Sequence, residues 1–124
     1  MPDPFNHVKQ AKHNENFYKS FNVEETPYKD WIVTGVFYAA LHFIDAYLAT
    51  KSIHPFSHKM RDDWVKKHRE LDLIWLDYRD LKEFRMKASY KVYEFTAQEI
   101  RNDVLPLLEA IQSGLKNLAP SIFN

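Results

Sequence analysis

Apolar residues recur at helical spacing along nearly the whole chain. Asp3-Pro4 has the form of an N-cap followed by proline at the first helical position, where the missing N–H costs nothing. From there Val8, Ala11, Tyr18 and Phe21 return to one face with Phe17 beside them, and Lys9, Lys12 and Lys19 fall opposite. The stretch from Asn22 to Lys29, with Thr26-Pro27, reads as a loop. Asp30 is then predicted to cap a second helix from Trp31 to about Thr50, apolar on almost every side and therefore surrounded by neighbours. Lys51 to Phe56 reads as a connector, because His54 precedes Pro55 and is biased away from helix. Ser57 opens a third helix with Met60, Trp64 and Leu71 as its core stripe and Asp62, Asp63, Lys66 and Lys67 towards water. A fourth helix, roughly Leu73 to Val92, presents Ile74, Tyr78, Leu81, Phe84 and Ala88 on one face. Thr96-Ala97-Gln98-Glu99 has the pattern of a capping box, and Phe95 with Ile100 that of a hydrophobic staple. The last helix carries Ile100, Val104, Leu107, Leu108, Ile111, Leu115 and Leu118, with Pro106 expected to bend it. The expectation is a single all-α domain over residues 1–124, an up-and-down bundle of four to five helices with the second helix most buried.

Composition sharpens this in few places. Two glycines leave little room for the tight turns of an all-β fold. Lys plus Arg and Asp plus Glu both total 17, so no global field draws the chain onto nucleic acid or an anionic membrane, and any nucleic-acid contact must be local. The absence of cysteine excludes a disulfide framework and thiolate chemistry, and Met1-Pro2-Asp3-Pro4 lacks the basic and apolar regions of a leader. A cytoplasmic protein is expected. The second helix is long enough to mimic a membrane span, but Thr34, Tyr38, His42 and Asp45 interrupt it, so no membrane partner is expected.

Those four polar residues lie within about 80° of one another on the helical wheel and form a polar stripe on an apolar element. One reading is a closed network with partners on helices one and four, Asn14 and Arg85 being candidates, because unpaired buried polar groups cost about 1–3 kcal/mol. The other is a ligand-facing or dimer-facing site in which Tyr38, His42 and Asp45 join Arg85 and Tyr90. On helix three, Arg61 and His68 are seven apart, which returns them to one side roughly 10.5 Å from each other. An arginine that holds phosphate and a histidine that moves a proton are the minimum for metal-independent RNA cleavage through the 2′-hydroxyl. Asp62 and Asp63 place negative charge beside such a phosphate and lean against cleavage. His54 and His58 with Asp45 or His42 can be imagined around a metal, yet Pro55 separates His54 from the helix and no helical His-x-x-x-His pair forms. No metal or cofactor is expected, and no phosphate loop or nucleophile elbow occurs.

These residues together resemble the HEPN family of helical proteins. The resemblance runs from about residue 7 to 100 and is carried by His13-Asn14-Glu15 with Phe17, by Asp30-Trp31, and by Phe37-Tyr38-Ala39-Ala40-Leu41-His42 followed by Asp45-Ala46-Tyr47-Leu48. It continues through His54, His58 and Arg61, then Tyr78-Arg79-Asp80-Leu81, Arg85 and Ala88-Ser89-Tyr90. The family often has Ala-Asp-Tyr or Ala-Arg-Tyr where this chain has Ser89 in the middle. The resemblance implies a bundle that pairs into homodimers. It also implies functions from RNA cleavage, with Arg61 and His68 meeting across a dimer, to non-catalytic binding of RNA, a nucleotide or a toxin–antitoxin partner. The local chemistry favours a binding or interaction module over an enzyme; a purely structural, partner-binding role is the remaining alternative.

Overall fold

Asp3 begins α1 (Pro4–Lys19) by accepting a hydrogen bond from the Asn6 amide at 2.9 Å, with Pro4 in the first turn. The structure is a computed structural model that describes residues 2–90 and 92–123. After α1 the chain turns at Asn22, whose carbonyl accepts from the amides of Glu25 and Thr26, and Thr26 Oγ1 then accepts from the Tyr28 amide. That turn launches α2 (Lys29–Ala49) two residues earlier than expected. Tyr28, not Asp30, is the capping residue, and its carbonyl accepts from Trp31 and Ile32. Asp30 instead lies in the first turn, where its charge complements the helix dipole.

α2 is the centre of the bundle. It packs against α1, α4 and the last helix, and fifteen of its residues are buried, from Ile32 to Ala49. Its length and mean hydropathy of 1.5 are those of a membrane span, but 83% of that window is buried by the protein's own helices. Gly35 sets the spacing to α1, because a Cβ there would lie 3.0 Å from Tyr18 Cβ and 3.3 Å from Phe17 Cδ2. At the far end the chain leaves through Ser52, at φ 59°, and the Ile53 amide reaches back to the Leu48 carbonyl at 3.0 Å.

Ser57 caps α3 (His58–Lys67) by accepting from the Met60 amide at 3.0 Å. The inward residues of α3 are Arg61 and Val65, whereas Met60 and Trp64, expected at the centre of its stripe, are only half-buried. The stripe is rotated because Arg61 has a counter-charge inside the protein. A 3₁₀ turn, Arg69–Leu71, buries Leu71 and leads into α4 (Asp72–Tyr90), which buries Ile74, Tyr78 and Leu81. Val92, expected at the helix end, lies beyond it and is fully exposed.

The last helix, α5, runs over residues 97–118 in three parts: Ala97–Glu99, a π-helical stretch Ile100–Val104, and Leu105–Leu118. Thr96 Oγ1 accepts from the Glu99 amide at 3.0 Å, but Glu99 answers with a bond from the Tyr93 hydroxyl at 2.7 Å. Only half of the expected capping box therefore forms. Phe95 and Ile100 are buried in the same core. Pro106 cannot donate to the ladder, and the widened turn before it, with the Leu105 amide reaching the Ile100 carbonyl, absorbs the missing bond. Leu118 is 40% exposed, so the inward stripe of α5 ends at Leu115. No strand occurs among the described residues.

Gly35→Leu is expected to destabilise the protein by about 1–3 kcal/mol in urea denaturation, because α1 and α2 must part to admit the side chain. Gly114→Ala meets only the Ile74 side chain, and gains about 1 kcal/mol of helix propensity in compensation, so it should be close to neutral.

Candidate functional site

The polar stripe of α2 divides into one closed interaction and two open ones. Thr34 takes no part, since its hydroxyl donates back to the Asp30 carbonyl at 2.9 Å. Asn14, expected as a partner, accepts instead from Gln10 on its own helix.

The closed interaction is between Asp45 and Arg61. Both side chains are buried, and Arg61 Nε donates to Asp45 Oδ1 at 2.6 Å while Nη2 donates to Oδ2 at 2.9 Å. Two parallel bonds of this kind are the strongest form of charge-assisted pairing. Tyr78 packs below with its hydroxyl buried and unpartnered, and burial raises its pKa. The remaining Arg61 nitrogen lies 3.5 Å from His58 Nδ1, at the surface end of the pair.

Two turns earlier, Tyr38 meets Arg85 of α4, whose Nη2 donates to the Tyr38 hydroxyl at 3.0 Å. The Arg85 guanidinium stands 5.7 Å from the ring centres of Phe37 and Tyr38 and 5.6 Å from that of Tyr90. Its Nε is buried without a partner, while Tyr90 is 73% exposed. The result is a cation wedged among rings with unspent donors and an accessible aromatic face.

On the other side, His42 faces α1. Its ring stacks on His7 with centres 5.9 Å apart and planes 26° from parallel. His42 Nδ1 is buried without a partner, as is His54 Nδ1 in the connector. Burial lowers the pKa of both His7 and His42; Asp45 opposes the shift and Arg61 reinforces it.

The chain matches no protein-family model, no curated protein and no solved structure. Its chemistry must therefore be read from the side chains themselves. Five of the seven candidate residues fall into these clusters as partners or neighbours of one another, and Arg61 joins them as the counter-charge of Asp45. His68 does not. α3 ends at Lys67, His68 continues in an extended conformation, and its Nδ1 bonds the Trp64 carbonyl at 2.7 Å, so the helical register that would align it with Arg61 is broken. His7 escaped the sequence reading because α1 was followed through its apolar residues alone. Its position four before Ala11 and eleven before Tyr18, both buried, places it on the core side of the helix. The main surface clefts, about 270–500 Å³ in volume, are lined by other residues, the largest by Thr26, Lys29, Ala88 and Tyr93 among others.

Asp45→Ala should destabilise the fold by about 3–5 kcal/mol, because it strands a buried guanidinium, whereas Asp45→Leu combined with Arg61→Met should recover most of that loss in the same urea titration. Acid should weaken the fold as well. The folded pKa values of His7 and His42 lie below the unfolded value of 6.5, so the native state binds fewer protons. Their contribution is complete above pH 6.5 and is lost as pH falls through the depressed folded values. Urea midpoints measured in metal-free buffer from about pH 7.5 down to 5.5 should fall, and fall less steeply in His7→Gln/His42→Gln.

Proposed function

We propose that this chain is a HEPN-like, non-catalytic binding module of the cytoplasm that holds single-stranded RNA or a nucleotide against Arg85 and Tyr90. The observation that carries the proposal is the Arg85 guanidinium, set among Phe37, Tyr38 and Tyr90 with its Nε unpartnered. An arginine so placed offers donors to a phosphate, and an exposed ring beside it offers a face on which a base can stack. The balanced overall charge fits a local contact rather than long-range capture. Cleavage through Arg61 and His68 has less support, because gripping a phosphate would require Arg61 to release a buried carboxylate that holds it with both oxygens.

A homodimer or partner-bound form is a second proposal, favoured by exposed aromatic residues: Phe56 is 89%, Tyr28 56% and Trp31 53% exposed. Sedimentation equilibrium should then give twice the monomer mass at micromolar concentration, and a monomer throughout would oppose it.

For the binding reading, fluorescence anisotropy with a labelled single-stranded oligoribonucleotide should show salt-sensitive binding. Arg85→Ala and Tyr90→Ala should each weaken it by about 1–3 kcal/mol with little change in fold, and the oligonucleotide should remain intact. Absence of binding, or affinity unchanged from wild type in both variants, would contradict the assignment.

A further inference from the structure

We propose that His7, His42 and Asp45 form a binding site for one divalent transition-metal cation of the zinc type, clipping α1 to α2. One donor atom from each of the three residues lies within 4.8 Å of the others, and the three come from two separate helices. A tetrahedral zinc site with bonds of about 2.0–2.1 Å sets its donors roughly 3.3 Å apart. The remaining closure falls to side-chain rotation of the two half-buried imidazoles. His42 Nδ1, buried and without a hydrogen-bond partner, is a lone donor of the kind a metal satisfies. The fourth position of a tetrahedral site is left to water or to a further side chain, and His54 in the connector carries another buried, unpartnered Nδ1.

The ion pair with Arg61 shapes the selectivity of this site without closing it. Each Asp45 oxygen accepts one bond from Arg61 and keeps a second lone pair. Arg61 thus orients the carboxylate as an outer partner, in the manner of hydrogen-bonded ligands in metal sites generally. It also cancels the carboxylate charge, so a cation is held chiefly by imidazole nitrogen. That donor set suits zinc, cobalt, nickel and copper, and it disfavours magnesium and calcium, which require several anionic or carbonyl oxygens.

The test is isothermal titration of the EDTA-stripped full chain with zinc chloride, followed by cobalt substitution and visible spectroscopy. One zinc ion per chain is expected, with the visible bands of tetrahedral cobalt on substitution and no heat from magnesium or calcium at the same concentrations. His7→Ala and His42→Ala should each lower zinc affinity at least tenfold, while His13→Ala, an exposed histidine on the same helix, should leave it unchanged. Circular dichroism of each variant separates lost binding from lost fold, and His7→Gln, which preserves bulk, serves if the alanine variant unfolds. Zinc uptake that is equal in wild type and the folded His7 or His42 variants, or that is lost in His13→Ala, would overturn the proposal, as would octahedral cobalt spectra or no binding at all.

Discussion

An ionised carboxylate on a helix without a solvent face must have its counter-charge brought into the interior, and Arg61 supplies it. Asp45 sits in the most buried element of the bundle, where an unpaired charge would be costly enough to prevent that helix from packing. The pairing has consequences on both sides. On α3 it turns Arg61 and Val65 inward and leaves Met60 and Trp64 at the margin. On α2 it fixes the direction in which the polar stripe faces, with Tyr38 towards α4 and His42 towards α1. The helices could pack around a purely apolar α2, but these two polar contacts would then have no fixed orientation.

The same pair separates structure from function along one stripe. Arg61 Nε and Nη2 are both engaged by Asp45, so Arg61 is a poor candidate for gripping a phosphate. On either side, an Arg85 and a His42 nitrogen remain without a partner. One is surrounded by rings and the other by imidazole, which is why the ligands proposed for them differ: a base and phosphate in the first case, a borderline metal cation in the second. Arg85 touches Phe37, and Phe37 stacks on Tyr78 with centres 5.6 Å apart, so the first open site rests directly on the core.

Much of the fold was legible because its signals are local. Asp3-Pro4, Ser57 and Thr96 each mark a helix start within a few residues, and the apolar positions of α2, α4 and α5 repeat at helical spacing. The errors arise where a nonlocal partner decides. Asp30 looks like a cap until the Asn22 turn fixes the helix start two residues upstream, and Glu99 looks like half of a capping box until Tyr93 takes its carboxylate. Within the site, the approach of Arg85 to Tyr38 was anticipated because both carry the stripe onto facing helices. Asp45 and Arg61 were each singled out, but their pairing was not, since sixteen residues and a connector separate them and no periodicity links two helices. His68 shows the converse: a seven-residue spacing means nothing once the helix between has ended at Lys67.

The division of labour between the two arginines of the stripe can be observed directly in the side-chain Nε–H region of a ¹⁵N-correlated NMR spectrum. During titration with single-stranded RNA, the Arg61 signal should be protected from solvent exchange and remain in place, held by Asp45, while the Arg85 signal shifts progressively to saturation. A stationary Arg85 signal, or an Arg61 signal that moves with added RNA, would contradict the account.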